Sequence, residues 1–164
     1  MEKRPLKKME QSKTLTRPSY NKQESSTMKN NDRSPEMQKV DAMTADLIVE
    51  VMNARTSFHK LHLQVTGVGS YAQHMALNEI YDALPDLADT VAEGYQGACE
   101  VILNYPDKAP VTLTSIEGAV EYLRMLSSNV SEAQQVIPHS EVVNNLDLIK
   151  DAINSAKYKL IFLS

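Results

Sequence analysis

Residues 62–93 read HLQVTGVGSYAQHMALNEIYDALPDLADTVAE, and this stretch decides the fold. His62 and His74 stand twelve residues apart with Gly67 and Gly69 between them, and Asp89 and Glu93 follow at a spacing of four. The glycines interrupt the apolar pattern, so His62 is expected to end one helix and His74 to begin the next. On the second helix, His74, Asn78, Asp89 and Glu93 fall at about 0°, 40°, 60° and 100°, a single polar strip. The apolar residues Leu77, Ile80, Leu84, Leu87, Val91 and Tyr95 fall at about 220° to 340°, beside that strip. Along the axis, His74 and Asp89 are roughly 22 Å apart at 1.5 Å per residue. One metal ion cannot reach both within one chain, so a joint site requires two such helices antiparallel across a twofold axis. Pro85 should kink this helix, or else restart it after Leu84.

Upstream, Val40, Met43, Leu47, Val51, Ala54, Phe58, Leu61 and Val65 alternate steps of three and four, the stripe of a bundle helix starting around Glu36–Asp41. Ser70 is expected to cap the second helix, with Gln73 at the capping-box position, and Gly94 and Gly97 to loosen its end. About twenty residues with two prolines follow, room for a short helix at Ala98–Asn104 and for a crossover along a bundle. A third helix is expected from an N-cap at Thr114 or Ser115, with Ile116, Val120, Leu123, Leu126 or Ser127, Val130, Ala133 and Ile137 as its stripe and Pro138 as its stop. The fourth starts near Ser140 and carries Val142, Leu146, Ile149, Ile153, Ala156, Leu160 and Leu163. The fold class is therefore all-α: a ferritin-like four-helix bundle with a long crossover between the second and third helices. A conventional di-iron site inside such a bundle uses Glu-x-x-His pairs. No histidine here has a glutamate three residues before it, which leaves the site between subunits.

His62, Gly67, His74, Asp89 and Glu93 stand at the spacing of the Dps mini-ferritins, the DNA-binding proteins from starved cells. Their pattern is H-W-x-x-x-G, H-x-x-x-D and D-x-x-x-E, and the sequence resembles it with no insertion or deletion. Two positions depart. Leu63 replaces the usual tryptophan, and Asn78 replaces an aspartate, with Glu79 as a neighbouring carboxylate. The local match spans residues 62–93, and the four-helix layout extends it to 38–164. The resemblance implies His62 and His74 from one subunit and Asp89 and Glu93 from its partner as iron ligands, with Glu93 bridging two irons. It implies oxidation of Fe(II), typically by peroxide, and storage of ferric oxide in a hollow dodecamer built from twofold dimers. Imidazole with carboxylate also suits zinc or manganese. The aspartate-to-asparagine change favours a second reading, a structural or nucleic-acid-associated protein on the same scaffold with a degraded or purely structural metal site.

The 164 residues, 42% hydrophobic and 23% charged, fit one domain plus a tail. Residues 1–35 hold nine Lys/Arg against four acids, whereas 36–164 hold eight against seventeen. Residues 1–37 read as a disordered basic tail with too few apolar residues to offset its ordering entropy. The resemblance makes this tail a DNA-attaching, DNA-protecting arm, with Lys3, Arg4, Lys7, Lys8, Lys13 and Arg17 on phosphates. The alternative for the tail is a solubilising linker. No apolar run suits a signal-peptide core or a membrane span. The single cysteine, Cys99, agrees with a reducing compartment. A cytoplasmic protein, or one enclosed in something assembled there, is expected, without membrane association.

Overall fold

The structure, a computed structural model, describes residues 33–164. Four helices account for most of them: α1 Pro35–His62, α2 Ser70–Cys99, α3 Ile116–Val136 and α4 Ser140–Phe162. No strand occurs among the described residues, and none of their helices is long and apolar enough to cross a membrane. Expectations for Lys3, Arg4, Lys7, Lys8, Lys13, Arg17 and the tail's disorder lie outside the described residues.

Each helix buries the stripe its periodicity predicts. Leu47, Val51, Ala54, Phe58 and Leu61 of α1 meet Leu77, Ile80, Leu84, Val91 and Tyr95 of α2 in one core. Leu123, Leu126 and Val130 of α3 and Leu146, Ile149 and Ile153 of α4 complete it, all 1% exposed or less. Each such Leu or Ile contributes roughly 1.5–3 kcal/mol by leaving water. The fit loosens at the margins: Val40, Met43, Leu87, Ile116 and, past α1, Val65 are half-buried, and Leu163, past α4, is exposed.

Local chemistry sets the boundaries. Ser34 caps α1 by accepting from the Met37 amide, and Pro35 opens the first turn, where its missing N–H costs nothing. The helix thus takes in Pro35–Met37, which the expected boundary at residue 38 left in the tail. Ser115, rather than Thr114, caps α3 through the Gly118 amide. Ser70 does not cap α2: Gly69 is the N-cap, at φ 78°, with no side-chain bond. A Cβ there would also lie 3.0 Å from the Ser164 carbonyl carbon, so this corner needs glycine on two counts. Helix α2 runs unbroken through Pro85, which is tolerated inside it, and through Gly94 and Gly97 to Cys99. Gly94 serves close packing, because a Cβ would come 3.3 Å from Asn145 Nδ2 on α4. The short helix expected at Ala98–Asn104 does not form, since α2 absorbs its first two residues and the chain beyond Glu100 is irregular.

Helix α1 packs on α2 and α3, and α4 packs on the same two. Arg33 reaches the Cys99 carbonyl while His62 reaches His74, so α1 and α2 are antiparallel. Phe58 meets Tyr122, and Glu50 meets Asn129, which makes α1 and α3 antiparallel too. Hence α2 and α3 point the same way, and residues 100–115 must return along the bundle to join them. On the way Val101, Leu103 and Leu113 are buried, and Lys108 pairs with Asp46 of α1.

Two core tyrosines make the fold sensitive to alkali. Burial, and then the Glu50 carboxylate, push the Tyr122 phenol up to about 12. Burial, with the hydrogen bond to Asp41 next, raises Tyr95 as well. Below pH 10 both phenols are neutral folded or unfolded, and their contribution is fully present. Above it the unfolded chain ionises first, so stability falls as pH rises, by roughly 1.4 kcal/mol per unit for each tyrosine. Urea midpoints measured from pH 9 to 11.5 should drop from about pH 10. Tyr122→Phe should make that drop shallower, and an unchanged slope would refute the assignment.

Candidate functional site

The corner between α1 and α2 brings His62 and His74 together. The His62 ring is buried, and the two imidazoles stack with centroids 3.6 Å apart. His62 Nδ1 lies 3.0 Å from the His74 carbonyl oxygen, and His74 Nδ1 lies 3.2 Å from that of His62. A carbonyl oxygen only accepts, so both Nδ1 atoms carry the proton and donate. That leaves Nε2 of each ring as the atom able to present a lone pair, the tautomer a metal ligand needs, oriented by its backbone bond. The Gly67–Gly69 turn permits this exchange by folding α2 back on α1 within seven residues.

Tyr81 packs edge-on against His62, with centroids 5.1 Å apart, and stacks on His59 at 4.3 Å. Its hydroxyl donates to Asn78 Oδ1 over 2.8 Å, and Asn78 Nδ2 donates to Asp82 Oδ2 over 2.8 Å. Sequence reasoning gave no role to Tyr81 or Asp82; the i+3 and i+4 spacing from Asn78 is the signal that could have found them. The arrangement also explains the amide at 78. Aspartate there would set a carboxylate oxygen against Asp82. Glu79 is ion-paired with Lys159 of α4, which takes it away from the imidazoles.

Asp89 and Glu93 are exposed on the outer strip of α2, about four turns from His74. Tyr105 of the connecting segment is near Asp89, and burial, together with that carboxylate, raises its phenol. The structure therefore brings the histidines together and leaves the carboxylates at the other end of the helix. Among the described residues no three His, Cys, Asp or Glu side chains group closely enough to hold a metal ion within one chain.

Residues 62–160 match the pattern of a family of unknown function, DUF5856. The chain belongs to this family. The DUF5856 span starts on His62 itself and takes in His74, Asp89 and Glu93, while α1 up to Leu61 and the basic tail lie outside it. No curated protein and no solved structure matches the chain.

Proposed function

We propose that two copies of the chain pair through antiparallel α2 helices and bind Fe(II) between His62 and His74 of one copy and Asp89 and Glu93 of the other. The observation that carries this reading is the reciprocal histidine pair, whose two Nε2 atoms make no hydrogen bond among the described residues. Iron enters as substrate and gives up one electron per ion to an oxidant such as peroxide. The histidines orient it, and Asp89 and Glu93, exposed and free to reach a second copy, supply the charge that favours Fe(III). Zinc or manganese would compete for the same donors. The parallel α2 and α3 joined by a long connection support a ferritin-like bundle, and a Dps-like hollow dodecamer would store the product.

Aerobic Fe(II) added to the protein should give ferric absorbance faster than in a protein-free control. A rate equal to the control would favour the second reading, a structural or nucleic-acid-associated protein with a degraded metal site. The Asn78–Asp82 bond is the observation on that side.

DNA association is proposed through the basic tail. Residues 1–32 carry eight Lys/Arg and four acids, and the remainder carries nine against seventeen, a net charge of −8 that repels phosphate. Deletion of 1–32, leaving Arg33 in place, should abolish DNA retardation while helicity by circular dichroism is unchanged. Binding that survives the deletion, or that ignores salt, would exclude the tail.

A further inference from the structure

A cleft of about 200 Å³ opens between α1, the connecting segment and α3, away from the histidine corner. Its charges do not cancel. Asp46 is paired with Lys108, but Glu50 forms no ion pair among the described residues and accepts only from Asn129 Nδ2, at 2.8 Å. Asn53 Nδ2 likewise donates to the Lys108 carbonyl, so both asparagines spend an N–H on protein and keep an oxygen as acceptor. Tyr122 lines the same cleft. It is 5% exposed, yet its hydroxyl bonds no protein group among the described residues. The ring is buried while the hydroxyl oxygen stays open to the cleft, so its lone pairs are available to whatever occupies that space.

We propose that this cleft binds a small organic cation, a primary ammonium on a short alkyl stem, with its N–H groups on Glu50, the Tyr122 hydroxyl and the Asn129 amide oxygen. A cavity of ~150 Å³ holds benzene, so the space here admits a ligand of up to about eight heavy atoms. Ala109, Val111 and the Tyr122 ring give the stem apolar contact. A hard divalent ion fits less well. It takes six or more oxygens, usually with several carboxylates, and Asp46 is already held by Lys108. At neutral pH Tyr122 keeps its proton, because burial and Glu50 push it up to about 12, so its lone pairs can accept from an ammonium. The site shares no residue with the iron reading and stands without it.

The test is ligand-observed NMR on the full chain with n-butylammonium at constant ionic strength. Saturation transfer to the butyl protons should rise to a plateau with Kd on the order of 1 mM. Glu50→Gln should weaken binding at least about tenfold by removing the charge, and Tyr122→Phe should weaken it several-fold. Tetramethylammonium, which has the charge and no N–H, should bind at least about tenfold more weakly than n-butylammonium. A signal that never saturates, equal binding of tetramethylammonium, or displacement by magnesium at matched ionic strength would overturn the proposal. So would an unchanged Kd in either variant. Tyr122→Phe removes an oxygen that bonds no protein group among the described residues, so it tests the site even if Glu50→Gln does not fold.

Discussion

Co-expressed chains carrying His62→Ala with His74→Ala and Asp89→Ala with Glu93→Ala should oxidise Fe(II) together, though neither does so alone. In each homo-oligomer every proposed site lacks one half of its ligands, and the rate should fall to that of the protein-free control. In a mixed dimer one site loses all four side chains, while the other keeps the full set, two from each chain. With random equal mixing, roughly a quarter of the wild-type rate should return. A site within one chain cannot behave this way, because each chain brings its own lesion. Mixed oligomers verified by mass spectrometry that stay inactive, beside an active wild type, would end the intersubunit reading. If wild type is itself inactive, the informative variant exchanges the pair, Asn78→Asp with Asp82→Asn. That exchange places a carboxylate at 78 without facing it with a second one, whereas Asn78→Asp alone would set like charges against each other.

Asp41→Ala should cost about 3–5 kcal/mol, the largest loss expected from any single polar residue here. Asp41 Oδ2 lies 2.8 Å from Arg33 Nε, with both side chains about nine-tenths buried, and its Oδ1 accepts from the fully buried Tyr95 hydroxyl over 2.6 Å. Arg33 also donates to the Cys99 carbonyl over 3.1 Å, which locks the start of α1 to the end of α2. Burial pulls the guanidinium down, but the Cys99 hydrogen bond and the Asp41 charge outweigh it, and the net direction is up. Alanine at 41 strands a cation and a phenol together. The melting temperature at fixed protein concentration should fall by roughly 10–20 °C. Tyr95→Phe should cost only ~1 kcal/mol. Asp46→Ala, in the half-exposed pair with Lys108, should cost less than about 1 kcal/mol. Equal losses for Asp41→Ala and Asp46→Ala would show that burial of the first pair has no energetic weight.

The helices were legible because each needs only its own residues to declare a buried face. The stripes from Leu47 to Leu61 and from Val142 to Leu160 predict the core almost residue by residue. The long connection was legible from its length and prolines. What escaped depends on partners far along the chain. Arg33 looks like one more tail cation, because nothing near it in sequence reveals Cys99, sixty-six residues on. Gly94 looks like a frayed helix end until α4 presses Asn145 against it. Of the candidate site, the turn that joins His62 to His74 could be read, since two glycines and a twelve-residue interval leave little else to build. The exchange of their ring protons with each other's backbone could not, and neither could the hold of Tyr81 and Asp82 on Asn78.

The antiparallel pairing of α1 with α2 and of α2 with α4 also separates the two ends of the folded unit. Arg33 sits beside Cys99, at one pole, and Ser164 sits beside Gly69, at the other. A 30-residue α2 places those poles roughly 45 Å apart. Cargo fused before α1 and cargo fused after α4 would therefore leave the bundle in opposite directions. A circular permutant joining the two would need a linker of about thirteen or more fully extended residues to bridge the gap. New termini are better cut in the connecting segment near Asp107, which is exposed and belongs to no helix.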